Sequence, residues 1–362
     1  MNKSGNGEQA GDRAGKAALA ARWQAADAAG GGSQRDAALA ALRSDGPAAD
    51  RPTDLRGIDL AREDLSGLDL SRTDLCGAHL AKANLSGANL SFCKLVDAVL
   101  FEATLDRAEL LSADLTDADL NQCSASRTGF GGANLTRTAL VGANLEAASL
   151  SNATLVDADF RGASMAGVRM RKSDLTGANF AKADVQRADL QDSAIEGADF
   201  TDTDLRGGHL KRVTGFERAA WIGTDVRDVD FCGAYLVRRH IMDENYLYEF
   251  RRRDRLSGVL FRIWSLTSDC GRSFSRWALW TVLVAVLFGL AYTQVDLDYG
   301  DHQTFLSAMY FSVVTLTTLG YGDVLPASVA AQILAVFEVV LGYVALGGLL
   351  SIFAAKMARR AE

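Results

Sequence analysis

From Leu55 to Leu210 every fifth residue is apolar, 32 positions in unbroken phase. Most are Leu, with Phe130, Phe160, Phe180, Phe200, Met165, Met170, Val185 and Ile195 among the others and Ala125 the smallest. Two residues before most of them stands a small side chain, as at Ala78, Ala83, Ala88, Cys93 and Ala98, and Asp or Asn often lies between, as at Asn84, Asn89, Asp114 and Asp119. After Leu210 the phase slips by one residue and resumes at Phe216, Trp221, Val226, Phe231 and Leu236. A period of five fits neither a 3.6-residue helix nor a two-residue strand. It predicts a solenoid with one turn per pentad, whose large apolar and small residues both point into a narrow tube.

These residues resemble the pentapeptide-repeat family, consensus A-(D/N)-L-x-x. The resemblance implies a right-handed, quadrilateral β-helix over residues 51–237, with four pentads per coil and residues 20 apart stacked. Phe160, Phe180 and Phe200 then form one ladder, which the slip extends to Trp221. Cys93 and Cys123 occupy the small position and read as inert core.

The flanks differ. Residues 1–50 are rich in Ala and Gly, with a flexible break at Gly30–Ser33. They are expected to be a mostly disordered arm, in which Gln34–Ser44 is able to form a helix over the start of the repeats. Residues 238–276 are basic: Arg251, Arg252, Arg253, Arg255, Arg262, Arg272 and Arg276 stand against Asp254 and Asp269 after residue 250. Leu256, Val259, Leu260, Ile263 and Trp264 recur at helical spacing, which predicts an amphipathic helix at a membrane interface. The other reading is a cap on the open end of the solenoid.

Trp277–Val295 runs 19 residues without a charge, and Ala327–Ala355 holds one charge, Glu338. Both are long enough to span a bilayer. A charge at membrane depth needs a partner, so Glu338 is expected to hydrogen-bond the intervening helix, a gate or proton sensor being the alternative. Residues 277–355 contain no Lys or Arg, the flanks carry Arg272, Arg276, Lys356, Arg359 and Arg360, and the loop carries Asp296, Asp298 and Asp301. The positive-inside rule places both ends and the repeats in the cytoplasm of a multi-pass protein of the cell (inner) membrane.

Between the spans lies TFLSAMYFSVVTLTTLGYGDVLP, Thr304–Pro326. Its first half predicts a helix over 304–317, too short to span. Its second half, Thr317-Thr318-Leu319-Gly320-Tyr321-Gly322-Asp323, resembles the selectivity filter of potassium channels. The resemblance implies a homotetramer in which Thr318, Leu319, Gly320 and Tyr321 present oxygens to K+ and Gly322 permits the outward turn. Thr317, Asp323, Tyr310 and Phe311 would support the filter, with Tyr310 and Phe311 beside Tyr321. Leu319 replaces the commonest Val, and only its carbonyl faces ions. Val314 stands where many such channels have Glu, so a carboxyl pair with Asp323 is absent. Gly342 matches the family's hinge, with Gly347 a second candidate; close helix packing is the other reading of these glycines.

Composition adds exclusions. The 362 residues have a net charge of −7, and the mean hydropathy of +0.03 averages very dissimilar zones. Five Cys show no C-x-x-C pair and four His are scattered, which argues against a zinc site, a disulfide framework or an enzyme. The N-terminus lacks a signal-peptide core. No cofactor is expected, with K+ as the permeant ion. Residues 51–237 hold 28 acidic and 20 basic residues, net −8. Some pentapeptide-repeat proteins mimic DNA and bind topoisomerase, but mixed signs such as Arg169, Arg171 and Lys172 break an anionic stripe. A nucleic-acid partner is not expected; membrane lipids and an unidentified cytoplasmic partner of the solenoid are. A non-selective cation pore is the alternative function. With residues 356–362 forming a short tail, any signal from the solenoid is expected to pass through Arg251, Arg252, Arg253 and Arg255.

Overall fold

The computed structural model describes residues 23, 33–44, 51–232, 234–271, 273–300, 304 and 306–361. The chain divides into two compact units, Met1–Tyr246 and Leu247–Glu362.

In the first unit, parallel bridges pair residues 20 apart, from Asp54 with Asp74 through Ala194 with Thr214. Beyond the slip the offset is 21, from Asp199 with Ala220 to His209 with Asp230. Each coil is therefore four pentads, and roughly nine coils at ~4.8 Å make a β-helix about 45 Å long. All 32 in-phase residues from Leu55 to Leu210 are fully buried.

The polar pattern has a local cause. Each corner is a two-residue turn whose second residue has positive φ, Gly at 57, 67 and 77 but Arg62, Lys82 and Asp97 elsewhere. The Asp or Asn before the buried residue accepts from the N–H two positions on, as Asp64 Oδ1 does from Ser66 (3.1 Å) and Asn84 Oδ1 from Ser86 (3.2 Å). Hydroxyls at the small position donate to main-chain carbonyls, as Thr128 does to Leu105 (2.6 Å) and Ser173 to Leu150 (2.7 Å), so no polar cost is left inside. Phe160, Phe180, Phe200 and Trp221 stack with centroids 4.9, 5.0 and 4.6 Å apart.

Both ends of the tube are covered by helices. α1, Gln34–Arg43, starts with a Ser33–Asp36 capping box and buries Ala38, Leu39 and Leu42 in the solenoid core. Arg43 bonds Glu63 (2.9 Å), Arg35 bonds Glu63 and the Asp59 carbonyl, and Trp23 Nε1 donates to the Arg56 carbonyl (2.8 Å). Gln34–Arg43 is thus the helix over the start of the repeats that the sequence allowed for within the arm 1–50, because its apolar face has a coil end to cover. Apart from Trp23, the rest of that arm lies outside the described residues.

At the other end α2, Tyr235–Arg252, buries Val237 and Ile241 in the same core. Asn245 closes the last coil, donating to the Trp221 carbonyl (3.0 Å) and accepting from Gly223 N–H (2.7 Å). The first part of 238–276 is therefore the cap rather than an interfacial element. Leu236, in phase with the repeats, lies on α2 and is 65% exposed. Its spacing is a coincidence of a helix beginning where a fifth post-slip position would have been.

In the second unit α3, Arg255–Ser268, begins at an Asp254 cap whose carboxylate accepts from Ser257 N–H (2.7 Å). That bond holds the Asp254 carboxyl below its ordinary range. α4, Phe274–Tyr292, and α6, Val329–Ala361, contain the two stretches apolar enough to cross a membrane, Phe274–Tyr292 and Val329–Ala354. α4 starts and ends three residues before the expected 277–295, because Ser273 caps it and Thr293 terminates it. α5, Ser307–Leu316, is shorter than the expected 304–317. β1, Leu297–Asp298, pairs antiparallel with β2, Leu325–Pro326, and so joins the exit of α4 to the entry of α6.

Candidate functional site

α5 is capped at its C-terminus by Thr317, whose hydroxyl donates back to the Val313 carbonyl (2.6 Å). Leu319 N–H still reaches the Val314 carbonyl (3.0 Å), so the loop leaves directly from the helix. From there φ is positive at every second residue: 58° at Thr318, 55° at Gly320 and 77° at Gly322, but not at Leu319 or Tyr321. Alternating the hand of successive residues turns their peptide planes the same way, which lines carbonyl oxygens along one edge. Glycine carries the left-handed conformation at little cost; Thr318 bears it with a side chain.

The loop's side chains are open within the chain, Leu319 59% and Tyr321 66% exposed. Phe311 has its neighbours on another side of the helix. It is buried edge-on to Tyr292 (4.8 Å), in a cluster with Ala308 and Val324. The two aromatics are one helical step apart, so they face different sides of α5. Tyr310 does reach the loop, its Oη donating to Asp323 Oδ2 (2.6 Å). Val314, one turn further on, is buried and has no group to offer.

The glycines of α6 divide by what they touch. A Cβ on Gly342 would collide with the Leu316 carbonyl, a backbone atom at the end of α5. At Gly347 it would meet nothing within 4 Å. α6 runs as one helix through both, and close packing describes Gly342. Two similar contacts occur in the spans, at Gly348 and at Gly289, of which only Gly289 is not singled out from the sequence. Gly348 faces the Trp277 ring, whose Nε1 donates to the Ala345 carbonyl (2.8 Å), and Gly289 faces Met309. Small residues inside spans were the signal for both.

Glu338 is fully buried and bonds Ser312 of α5, as expected. Of the four arginines, Arg251 lies over the Phe261 ring (5.7 Å) and Arg252 over the Tyr248 ring (5.2 Å), also bonding its hydroxyl. Arg253 and Arg255 are exposed. On α3, Leu256, Val259, Leu260, Ile263 and Leu266 form an exposed apolar stripe, while Ser257 and Ser268 face inward.

Comparison with known proteins divides the chain in the same way. Residues 277–359 match the family described as Ion channel, and segments within 53–207 match Pentapeptide repeats in eight copies. The two-pore potassium channel 1 of Arabidopsis thaliana is 36% identical over 86 residues, which are 23% of this chain and 24% of that protein. The two pore potassium channel b of Oryza sativa subsp. japonica is 54% identical over 46 residues, 13% of each chain. The chain therefore spans a quarter or less of these relatives. Among solved structures, HetL, a pentapeptide repeat protein of Nostoc involved in heterocyst differentiation regulation, is 29% identical over 49% of this chain and 86% of its own (TM-score 0.31). A plasmid-mediated fluoroquinolone resistance protein is 14% identical over 51% and 97% (TM-score 0.32).

Proposed function

We propose that this chain, pentapeptide repeats joined to an ion-channel domain related to plant potassium channels, assembles as a homotetramer that conducts K+ selectively. The observation that carries the reading is the alternating backbone of Thr318–Gly322, set between two spans at the end of a short helix. Rings of carbonyl oxygens replace an ion's hydration shell only when several such loops surround one axis. One chain supplies one loop, and its exposed side chains leave that loop to be completed by neighbours. Thr318, Leu319, Gly320 and Tyr321 then bind the ion, Gly322 turns the chain outward, and Thr317 and Asp323 hold the two ends.

The charge pattern supports cytoplasmic termini and a cytoplasmic solenoid. The stripe of α3, with Arg253 and Arg255 beside it, suits an anionic leaflet, where each basic residue contributes about 1 kcal/mol. The solenoid serves as an assembly or partner-binding module, and Arg251, Arg252, Arg253 and Arg255 carry its influence toward the spans. Replacing all four with Gln is expected to change open probability and leave selectivity intact.

The test is purified protein in planar bilayers under opposed K+ and Na+ gradients. A reversal potential at the potassium value supports the proposal. One midway between the two ions shows a non-selective cation pore instead. Gly320→Ala is expected to abolish the current. Within the chain its Cβ meets nothing, so the loss arises from the left-handed φ and from neighbouring loops.

A further inference from the structure

Glu338 is the one charged residue of the Val329–Ala354 span, and it is fully buried. Three elements meet its carboxyl. From α5, Ser312 Oγ bonds Glu338 Oε1. The same Oγ lies 2.8 Å from the Ala285 carbonyl of α4. From α4, the buried Tyr292 Oη is the other titratable group beside the carboxyl, and no hydrogen bond joins the two. Oε2 and Oη each lack a partner among the described residues.

The protons at this junction can be counted. A serine hydroxyl has one to give, and a main-chain carbonyl can only accept. If Ser312 gave its proton to an ionised Glu338, its approach to Ala285 would set two bare acceptors against each other. The ionised carboxylate would also lie in a dry site with no cation, since residues 277–355 contain no Lys or Arg. If instead Glu338 carries a proton on Oε1, it donates to Ser312, Ser312 donates to Ala285, and both contacts are satisfied. Oε2 is then left as a free acceptor.

We infer that Glu338 is held as a neutral acid and acts as a proton-dependent strap, joining α6 through Ser312 of α5 to the backbone of α4. Ser312 lies six residues before Thr318, on the helix that delivers the loop. Loss of the proton to solvent leaves Ser312 two acceptors and one donor, and the strap opens on one side. Alkali therefore loosens α5 and lowers the open probability. Tyr292 is the only other titratable side chain facing the carboxyl among the described residues of α4, α5 and α6; Ser312 contributes only a hydroxyl. Glu338 is a positioning residue here, and its effect on conduction rests on the channel reading above.

The test has two arms on the full chain in lipid. Infrared difference spectra of wild type minus Glu338→Gln at neutral pH are expected to contain the carbonyl stretch of a protonated carboxyl, lost on titration with alkali. This arm needs no conduction, so it stands even if selectivity fails. In the second arm, single-channel open probability falls several-fold with alkali in wild type and stays flat in Glu338→Gln, whose amide keeps both donor and acceptor. Ser312→Ala lowers it at every pH. Absence of the band at neutral pH overturns the inference, as does an unchanged pH profile in Glu338→Gln. Should that variant not assemble, isotope-labelled glutamate in wild type gives the same spectral answer.

Discussion

Tyr310 Oη donates to Asp323 Oδ2 across 2.6 Å, tying the first half of α5 to the residue that closes the glycine loop. Thirteen residues separate the two, and the whole loop lies between them. The bond fixes where that loop starts relative to where it ends.

Tyr310→Phe removes the donor and keeps the ring. It is expected to preserve selectivity and to shorten conductive bursts severalfold. Asp323→Asn should do the same, and the double variant should be no worse than either single, since both break one contact. Burst durations in single-channel records check this, and an unaltered duration in Tyr310→Phe would remove the bond from the support of the loop.

Gly342 and Gly347 should part company. Gly342→Ala pushes a methyl against the Leu316 carbonyl, which backbone cannot yield without moving α5. Overpacking of this kind costs about 1–3 kcal/mol. Gly347→Ala adds its methyl to open space. Thermal dissociation of the assembled protein in detergent, followed by size exclusion, is expected to show a lower midpoint for the first and no loss for the second. The reverse order would return Gly342 to a bending role.

Leu115 is fully buried at the middle of the solenoid. Leu115→Asp places a charge with no partner in the tube, at a cost of several kcal/mol. Limited proteolysis should open new cleavage sites in the coils around it. Because each coil touches only its neighbours, sites near α1 should stay protected.

Thiol chemistry should follow burial. Burial, then the Asp106 charge, pushes the Cys123 thiol up to about 12, and burial followed by Asp74 pushes Cys76 up to about 11. Burial also raises Cys93. The reactive thiolate forms only above such values, so these groups are protonated thiols at pH 8. Cys232 is exposed. A maleimide at pH 8 should modify Cys232 first and reach Cys93 and Cys123 only after denaturation, as peptide mass mapping will report.

The solenoid was legible because one requirement recurs at every coil: a large residue inward, a small one beside it, an acceptor at the turn. Leu55 to Leu210 could be assigned by counting alone. Counting failed at Leu236, where a helix happened to place an apolar residue in step. The loop was legible from its residue types, since few sequences put two glycines around Tyr321 between apolar runs. Its surroundings were not. Tyr310 and Phe311 are adjacent aromatics, and only the phase of α5 decides that one reaches Asp323 while the other packs on Tyr292. Likewise Gly342 and Gly347 look alike on paper. What separates them is the carbonyl of Leu316, brought alongside by a chain segment 26 residues away.

The slip near Gly215 shows how the coil tolerates an added residue. Gly215 takes φ 77°, Arg218 N–H returns to the Gly215 carbonyl, and pairing resumes one residue later on the same side. Insertions in this rod thus act as angular settings. A single residue is looped out and turns nothing. A whole pentad adds one side, rotating every later face by a quarter turn for an advance of only about 1.2 Å. Twenty residues restore the original bearing one coil further on. The azimuth of any side chain on the rod is therefore set by arithmetic on pentads, almost independently of the rod's reach.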